Sequence, residues 1–245
     1  MSELEIFDTL LLLARPAAGK SEIIHFLKKS SLQERKSRFH IGEIREIDDF
    51  PMLWTWFEED DLLQQMGFPR LHSTPGGYFK GNHLWDLLIR RICLEYQKAK
   101  RDDDAFRPKT TTIIEFARGK EHGGWRAAFA CLSPQILERA AILYVNVSYE
   151  ESLRKNRARF NPDRPDSILQ HGLSDEKLES LYKESDWEEI ARGQNEWLAI
   201  QGYQVPYKVL ENEDDVTTAG SEKLGRRLEE NLSLLWKNYQ ALHSS

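Results

Sequence analysis

The chain has 245 residues, a formal net charge of −6 and 11% aromatic residues, among them seven tryptophans. This composition is typical of a folded globular protein, and the negative charge argues against a wide nucleic-acid-binding face. The length suits one α/β domain, at 1–245, that carries an inserted lobe beside a single large core.

The run of four leucines at 10–13 does not indicate a targeting or membrane segment. Glu3, Glu5 and Asp8 precede it, whereas a signal peptide would carry basic residues there, and the run is too short to span a membrane. Cys93 and Cys131 lack metal-type spacing, so we expect two buried thiols in a reducing compartment. The sequence therefore predicts a cytoplasmic protein with no membrane partner.

The first predicted strand, at 6–13, leads into a pattern typical of a phosphate-binding loop. Residues 14–21 match the motif G-x-x-x-x-G-K-[ST], except that Ala14 replaces the first glycine. A methyl group is tolerated at that position if the φ angle of the residue is negative. A helix predicted at about 21–30 follows the loop. This context favours a nucleoside-triphosphate site over an ordinary turn between a strand and a helix.

Each residue type in the loop suits a triphosphate. Small residues allow backbone N–H groups to close around phosphate oxygens, and the following helix adds the positive end of its dipole. Lys20 can reach the terminal phosphates, and the hydroxyl of Ser21 suits a Mg²⁺ ion that bridges them. We therefore expect ATP and Mg²⁺ as cofactors. The loop residues expected to bind them are Ala17, Ala18, Gly19, Lys20, Ser21 and Glu22.

Further apolar runs predict the remaining strands of a largely parallel sheet, at 39–47, 110–116, 141–147 and 205–210. Helical patterns separate these runs, which is typical of a doubly wound α/β fold. An insertion at about 48–82, rich in aromatic and turn residues, precedes a helix predicted at 83–100. The pattern is charged and helical from 150 to 197, and a last helix is predicted at 217–242.

Polar residues follow the second, third and fifth predicted strands. In such a sheet, ligands lie outside the carboxyl ends of the strands, so Glu115 and Arg118 should face the phosphate-binding loop. Glu115 can hold Mg²⁺ through water, or accept a proton from a substrate hydroxyl that attacks the γ-phosphate. Asp48 is the alternative base, with Asp49 beside it, although this pair also suits the start of a helix. Asn212 can contact the nucleotide base or belong to a turn before the last helix.

Basic side chains follow the fourth predicted strand. Ser148 begins a helix there, and Glu151 completes a capping box. Guanidinium groups on this helix can neutralise the charge that spreads over a γ-phosphate during transfer, which predicts a lid at about 154–175. The alternative is a solvated helix with pairs such as Glu150 with Arg154. The arginines of this segment are Arg154, Arg157, Arg159 and Arg164.

The order of these features resembles that of the P-loop kinases of the nucleoside and nucleotide kinase group. The resemblance implies a P-loop NTPase three-layer sandwich, in which a five-stranded parallel sheet of order 2-3-1-4-5 has helices on both faces and a helical lid. It also implies Mg²⁺·ATP as the donor, and likens Glu115 and Arg118 to the Glu-Arg-Ser segment of deoxynucleoside kinases. The residues that carry the resemblance are 17–21, Glu115, Arg118, 144–148, Glu151, Arg154 and 157–159.

The function expected is phosphoryl transfer from ATP to a small-molecule acceptor, foremost a nucleoside or nucleotide, bound at the insertion. Alternatives are the same fold acting on a sugar, a cofactor precursor or an antibiotic-like hydroxyl, or a regulatory protein that binds nucleotide without transfer. No nucleic-acid partner is expected, and a homodimer stays open. The catalytic candidates are Lys20, Asp48, Glu115, Arg118, Arg157 and Arg159, the metal candidates are Ser21 and Glu115, and further nucleotide contacts are Arg154 and Asn212.

Overall fold

One mixed sheet forms the centre of the fold in the computed structural model, which describes residues 5–102, 109–159 and 173–243. The strand order is β2-β3-β1-β4-β6-β5. Neighbouring strands are parallel, apart from β5 and β6, which are antiparallel. The strands are β1 (Thr9–Ala14), β2 (Glu43–Asp48), β3 (Thr110–Phe116), β4 (Ala140–Asn146), β5 (Trp197–Ile200) and β6 (Tyr203–Glu211).

Helices connect the strands and cover the sheet. A π-helical turn at Arg35–Phe39 leads into β2, and a 3₁₀ turn at Lys120–His122 follows β3. The α-helices of the described residues are α1 (Lys20–Lys29), α2 (Leu32–Glu34), α3 (Asp49–Gln65), α4 (His83–Asp102), α5 (Gly124–Cys131), α6 (Pro134–Leu137), α7 (Tyr149–Arg159), α8 (Asp175–Tyr182), α9 (Trp187–Ala191), α10 (Val216–Ala219) and α11 (Glu222–His243).

The two faces of the sheet carry separate apolar layers. In β1, Leu11 and Leu13 face one layer, with α4, α5 and α9, whereas Leu10 and Leu12 face the other, with α1 and α11. This alternation follows from the two-residue period of a strand, and it explains why β1 is buried throughout and apolar from Leu10 to Ala14. The expectation of a mostly parallel α/β sheet with helices on both faces is confirmed.

The expected number of five strands is wrong, because a sixth strand lies at the edge of the sheet. The five parallel strands have the expected order, β2-β3-β1-β4-β6. Trp197–Ile200, at the end of the segment interpreted as helical, pairs instead with β6. Gln201 and Gly202 join the two strands with φ angles of 51° and 85°, and a two-residue turn with both φ angles positive matches the twist of a hairpin.

The insertion at 48–82 contains a long helix that the sequence pattern did not predict. The apolar residues of α3 are spread around the helix rather than gathered in one stripe, so periodicity gave no signal. Asp48 caps this helix by accepting a hydrogen bond from the backbone N–H of Phe50, at 2.9 Å. The insertion therefore begins directly at the end of β2.

A buried carboxylate anchors the loop that follows α3. Asp60 accepts hydrogen bonds from the backbone N–H groups of Leu71, His72 and Ser73 and from the hydroxyl of Ser73. Hydrogen bonds to the charged form lower the pKa of Asp60 to about 2, although its burial opposes this. The loop is thus held by a carboxylate that stays charged at neutral pH.

The structure also bears on the two expected thiols and on helices that could cross a membrane. Cys93 is buried and Cys131 is half-buried, and both are free thiols. Within the three described stretches, no helix has the length and apolar character needed to cross a membrane.

Candidate functional site

The loop between β1 and α1 leaves the start of α1 open to a ligand. Gly19 is the N-cap of α1 with a φ angle of 111°, and no side chain caps the helix. The first N–H groups of a helix have no acceptor within the helix, so they are free to bind an anion. Ala14 lies buried in β1 and is not among the described non-glycine residues with positive φ, which explains why a methyl group fits there.

Neighbouring side chains hold this loop in shape. The Asn212 amide donates hydrogen bonds to the backbone oxygen of Ala18 and to the hydroxyl of Thr217, at 2.9 and 2.8 Å. The hydroxyl of Ser152 donates to the backbone oxygen of Pro16, at 2.8 Å. A Cβ atom on Gly19 would lie 2.5 Å from the Thr217 hydroxyl. Asn212 is fully buried, so its position suits support of the loop better than contact with a nucleotide base.

A cleft of about 620 Å³ lies at the carboxyl ends of β1, β2 and β3. It brings together candidates that are far apart in the sequence, because parallel strands end at the same edge of a sheet. Ala18, Gly19 and Glu22 are not among the residues that line it. The candidates that do line it are Ala17, Lys20, Ser21, Asp48, Glu115, Arg118 and Arg159.

Two carboxyl groups, the buried Glu115 and the half-buried Asp48, lie side by side in this cleft. Asp48 and Glu115 are register partners in the parallel pair β2–β3, so their side chains point to the same face of the sheet. Burial, together with the charges of Glu115 and Asp49, raises the pKa of Asp48 to about 8, while the hydrogen bond from Phe50 and the charge of Lys20 oppose the shift. Burial and Asp49 also raise the pKa of Glu115, against Lys20. Both groups therefore hold a proton more tightly than a free carboxyl group does.

Arg118 has a partner within the protein. Its guanidinium donates to a carboxylate oxygen of Asp49 at 2.6 Å and to the backbone oxygen of Trp85 at 3.3 Å. Only 2% of the Arg118 side chain and 9% of the Asp49 side chain are exposed. This ion pair fastens the end of β3 to the first turn of α3, so Arg118 has a structural contact besides its place in the cleft wall.

The arginines of α7 face different surroundings. Arg154 forms exposed ion pairs with Glu151 and Asp215, at 2.6 and 2.7 Å, and Arg157 pairs with Asp175 at 2.6 Å. Arg159 lines the cleft, and its charge lowers the pKa of Glu115. Residues 160–172, which include Arg164 and most of the expected lid, lie outside the described residues.

The donor set suits a metal ion that arrives with phosphate groups. Among the described residues, no cluster of three or more His, Cys, Asp or Glu side chains could hold a metal alone. The exposed hydroxyl of Ser21 and the carboxyl groups of Asp48 and Glu115 line the same cleft. Mg²⁺ is commonly held by one or two protein oxygens plus substrate phosphates and water, and this set fits that arrangement.

Aromatic residues that the sequence analysis did not single out form the opposite wall of the cleft. Phe50, Trp54 and Phe57 come from α3, and their spacing of four and three residues places them on one helical face. Although α3 as a whole has no apolar stripe, the spacing of these three rings could have identified them from the sequence. The other rings come from elements distant in sequence, namely Tyr78, Phe79, Trp85, His122 and Tyr182.

Comparison of the sequence with models of protein families and with curated proteins finds no match.

The paired carboxyl groups predict an unusual pH dependence of stability. Because the pKa of Asp48 is higher in the folded than in the unfolded chain, its stabilising contribution is complete below about pH 4 and is lost as the pH rises towards about pH 8. Asp48→Asn keeps the helix cap and removes the charge. We expect this variant to gain stability relative to wild type between about pH 5 and pH 8.5, measured by urea unfolding.

Asp175→Asn is the matched control. Asp175 is an exposed carboxylate whose pKa is lowered by its hydrogen bond with Arg157, so it is ionised at both pH values. Its substitution should shift the stability equally at both. An Asp48→Asn variant whose pH dependence equals that of wild type would show that Asp48 ionises normally.

Proposed function

We propose that the protein transfers the γ-phosphoryl group of Mg²⁺·ATP to a hydroxyl group of a small-molecule acceptor, of the nucleoside or nucleotide class. The observation that carries the proposal is the open start of α1, with Lys20 and Ser21, beside the carboxyl pair Asp48 and Glu115 in one cleft. The resemblance of residues 17–21 to a P-loop supports the same interpretation.

The donor half of the cleft suits the triphosphate. Open N–H groups at the start of α1 would bind phosphate oxygens, and the ammonium of Lys20 would neutralise the terminal phosphates. Ser21, with Asp48 or Glu115, would hold Mg²⁺, which supplies positive charge to the phosphate oxygens. Asn212 and Ser152 keep the loop in one shape, so little reorganisation is needed when nucleotide binds.

The carboxyl pair suits the acceptor hydroxyl. As the hydroxyl oxygen bonds to the γ-phosphorus, the bond from phosphorus to the leaving ADP oxygen breaks and the hydroxyl proton passes to a carboxylate. At least one of Asp48 and Glu115 must be ionised to accept it. A raised pKa brings the base closer to the working pH, which suits this task and also argues against a protein that only binds nucleotide.

Nucleotide binding is the first test. Mg²⁺·ATP should raise the melting temperature, because a ligand that binds only the folded state stabilises it, by about 2.7 kcal/mol at one hundred times its dissociation constant. Lys20→Ala should lose most of this shift, measured by thermal unfolding. Lys29→Ala, an exposed lysine in the last turn of α1, should keep it. Absence of any shift for wild type at millimolar nucleotide would refute the proposed site.

The second test identifies the base. Glu115→Gln and Asp48→Asn keep the side-chain shapes and remove the charges, so both variants should fold and bind ATP. Substitution of the base should lower kcat by roughly 10²–10⁴-fold, the usual contribution of a positioned proton acceptor, measured as ADP release with acceptor present. We expect the larger loss for Glu115→Gln, since Glu115 belongs to β3, which pairs directly with β1. Full activity in both variants would rule out this mechanism.

The third test separates the arginines of α7. Arg159 lines the cleft, so Arg159→Ala should lower kcat by about 10²-fold with little change in ATP affinity, since its charge is needed most in the transition state. Arg157→Ala breaks only an exposed ion pair and should change kcat by less than about threefold. Steady-state kinetics of both variants measure these effects. A large loss of kcat in both variants would instead indicate that the whole helix acts as a lid.

A further inference from the structure

The half of the cleft beyond the carboxyl pair is an aromatic chamber. We give this name to the wall formed by Trp54, Phe57, Tyr78, Phe79, Trp85 and Tyr182. The rings contact one another, with centroids 5.3 Å apart for Phe57 and Phe79 and 4.8 Å apart for Phe79 and Trp85. Trp54, Phe57, Tyr78 and Phe79 are only half-buried, so their faces remain accessible to a ligand. Such a wall suits a flat, largely apolar body.

The aromatic chamber is set up before any ligand arrives. Tyr78 and Phe79 belong to the loop after α3, and the charged carboxylate of Asp60 holds that loop through hydrogen bonds to Leu71, His72 and Ser73. A bridge between Ser73 and Phe79 closes the loop on itself. The rings therefore need little ordering when a ligand binds, which favours affinity.

The charges around the aromatic chamber do not match a second phosphate group. Arg118 is paired with Asp49 at 2.6 Å, and Arg70 is paired with Asp61 at 2.5 Å. Recognition of a phosphate monoester commonly uses guanidinium groups that are not already paired. The ammonium of Lys177 also has a partner, because it lies 5.2 Å from the centroid of the Tyr78 ring, within the range of a cation–π contact. The carboxylates of Glu58 and Glu121 line the same wall and would repel an anionic acceptor.

His122 also lines the cleft, and one of its ring nitrogens has no hydrogen-bond partner among the described residues. His122 is 3% exposed, its ring stacks on Trp85 with centroids 3.8 Å apart, and its Nδ1 accepts a hydrogen bond from the backbone N–H of Gly119 at 3.4 Å. Its Nε2 has no hydrogen-bond partner among the described residues. Burial and the charge of Arg118 lower the pKa of His122 to about 3, so the ring is neutral and Nε2 carries the proton. A buried donor of this kind is costly unless a ligand accepts from it.

We infer that the acceptor is an uncharged, unphosphorylated alcohol with a flat heteroaromatic ring, and that Nε2–H of His122 donates a hydrogen bond to that ring. The inference rests on the proposed phosphoryl transfer, which makes the hydroxyl the attacking group. Among nucleosides, their monophosphates and simple sugars, it selects the nucleosides, since only they combine a flat ring with no net charge.

Titration calorimetry with matched probes tests this inference. The probes are the common ribonucleosides, their 5′-monophosphates and glucose, each added to the wild-type chain with and without saturating Mg²⁺ and a non-hydrolysable ATP analogue. We expect at least one nucleoside to bind about tenfold or more tightly than its own monophosphate, and glucose to show no binding. Tighter binding of the monophosphates, or no binding of any nucleoside, overturns the inference.

Two pairs of variants test the named contacts. His122→Phe keeps the stacked ring and removes the donor, and should weaken the best nucleoside about tenfold, the effect of one lost hydrogen bond. His72→Phe is the control, because His72 also stacks on a tryptophan, Trp56, but does not line the cleft. Trp54→Ala, on the half-buried wall, should weaken binding similarly, with Leu62→Ala, an exposed residue of the same helix outside the cleft, as its control.

The outcomes separate this inference from the proposed function. A normal melting shift with Mg²⁺·ATP, together with wild-type nucleoside affinity in both His122→Phe and Trp54→Ala, leaves the transferase proposal in place and refutes the aromatic chamber as the acceptor site. If Mg²⁺·ATP does not change the melting temperature of the wild-type chain, the transferase proposal is refuted. The titrations without nucleotide still decide the acceptor class.

Discussion

Arg118 and Asp49 form an ion pair at 2.6 Å with both side chains nearly inaccessible to water. Removing two charges from water is costly, so each depends on the other, and loss of either leaves an uncompensated buried charge. The pair connects the end of β3 with the first turn of α3. Arg118 also donates to the backbone oxygen of Trp85 and lies 5.2 Å over its ring. The sheet, α3 and α4 therefore meet at one electrostatic contact, and the cleft is the space that they enclose.

The same pair sets the protonation of its neighbours. The negative charge of Asp49 raises the pKa of both Asp48 and Glu115, which burial has already raised. The positive charge of Arg118 adds to the effect of burial in lowering the pKa of His122. One side of the cleft thus has carboxyl groups that hold their protons more tightly than free carboxyl groups do, and the other side has a neutral hydrogen-bond donor. A proton acceptor beside the phosphates and a hydrogen-bond donor for the acceptor are the two features on which the proposed transfer and the inferred acceptor depend.

Most of the candidate residues that line the cleft adjoin the ends of predicted strands. Lys20 follows β1, Asp48 ends β2 and Glu115 lies near the end of β3, and parallel strands bring such residues to one edge whatever their separation in the chain. The arginines of α7 could not be assigned in this way. Arg154 and Arg157 pair with Asp215 and Asp175, which belong to later segments. Which arginine of α7 faces the cleft therefore depends on the position of these partners and not on spacing along the helix.

By itself the sequence determined the five parallel strands, the loop at the start of α1 and the carboxyl groups at the strand ends. These features follow from local rules, namely apolar runs, turn residues and the geometry of parallel strands. Tertiary structure decided the edge hairpin, the helix α3 and the aromatic chamber. The rings of Phe57, Trp85 and Tyr182 come from three helices, and no local pattern says that they share one wall. The physical reason is that burial, which sets pKa values and leaves the Nε2 of His122 without a partner, is a property of the packed chain.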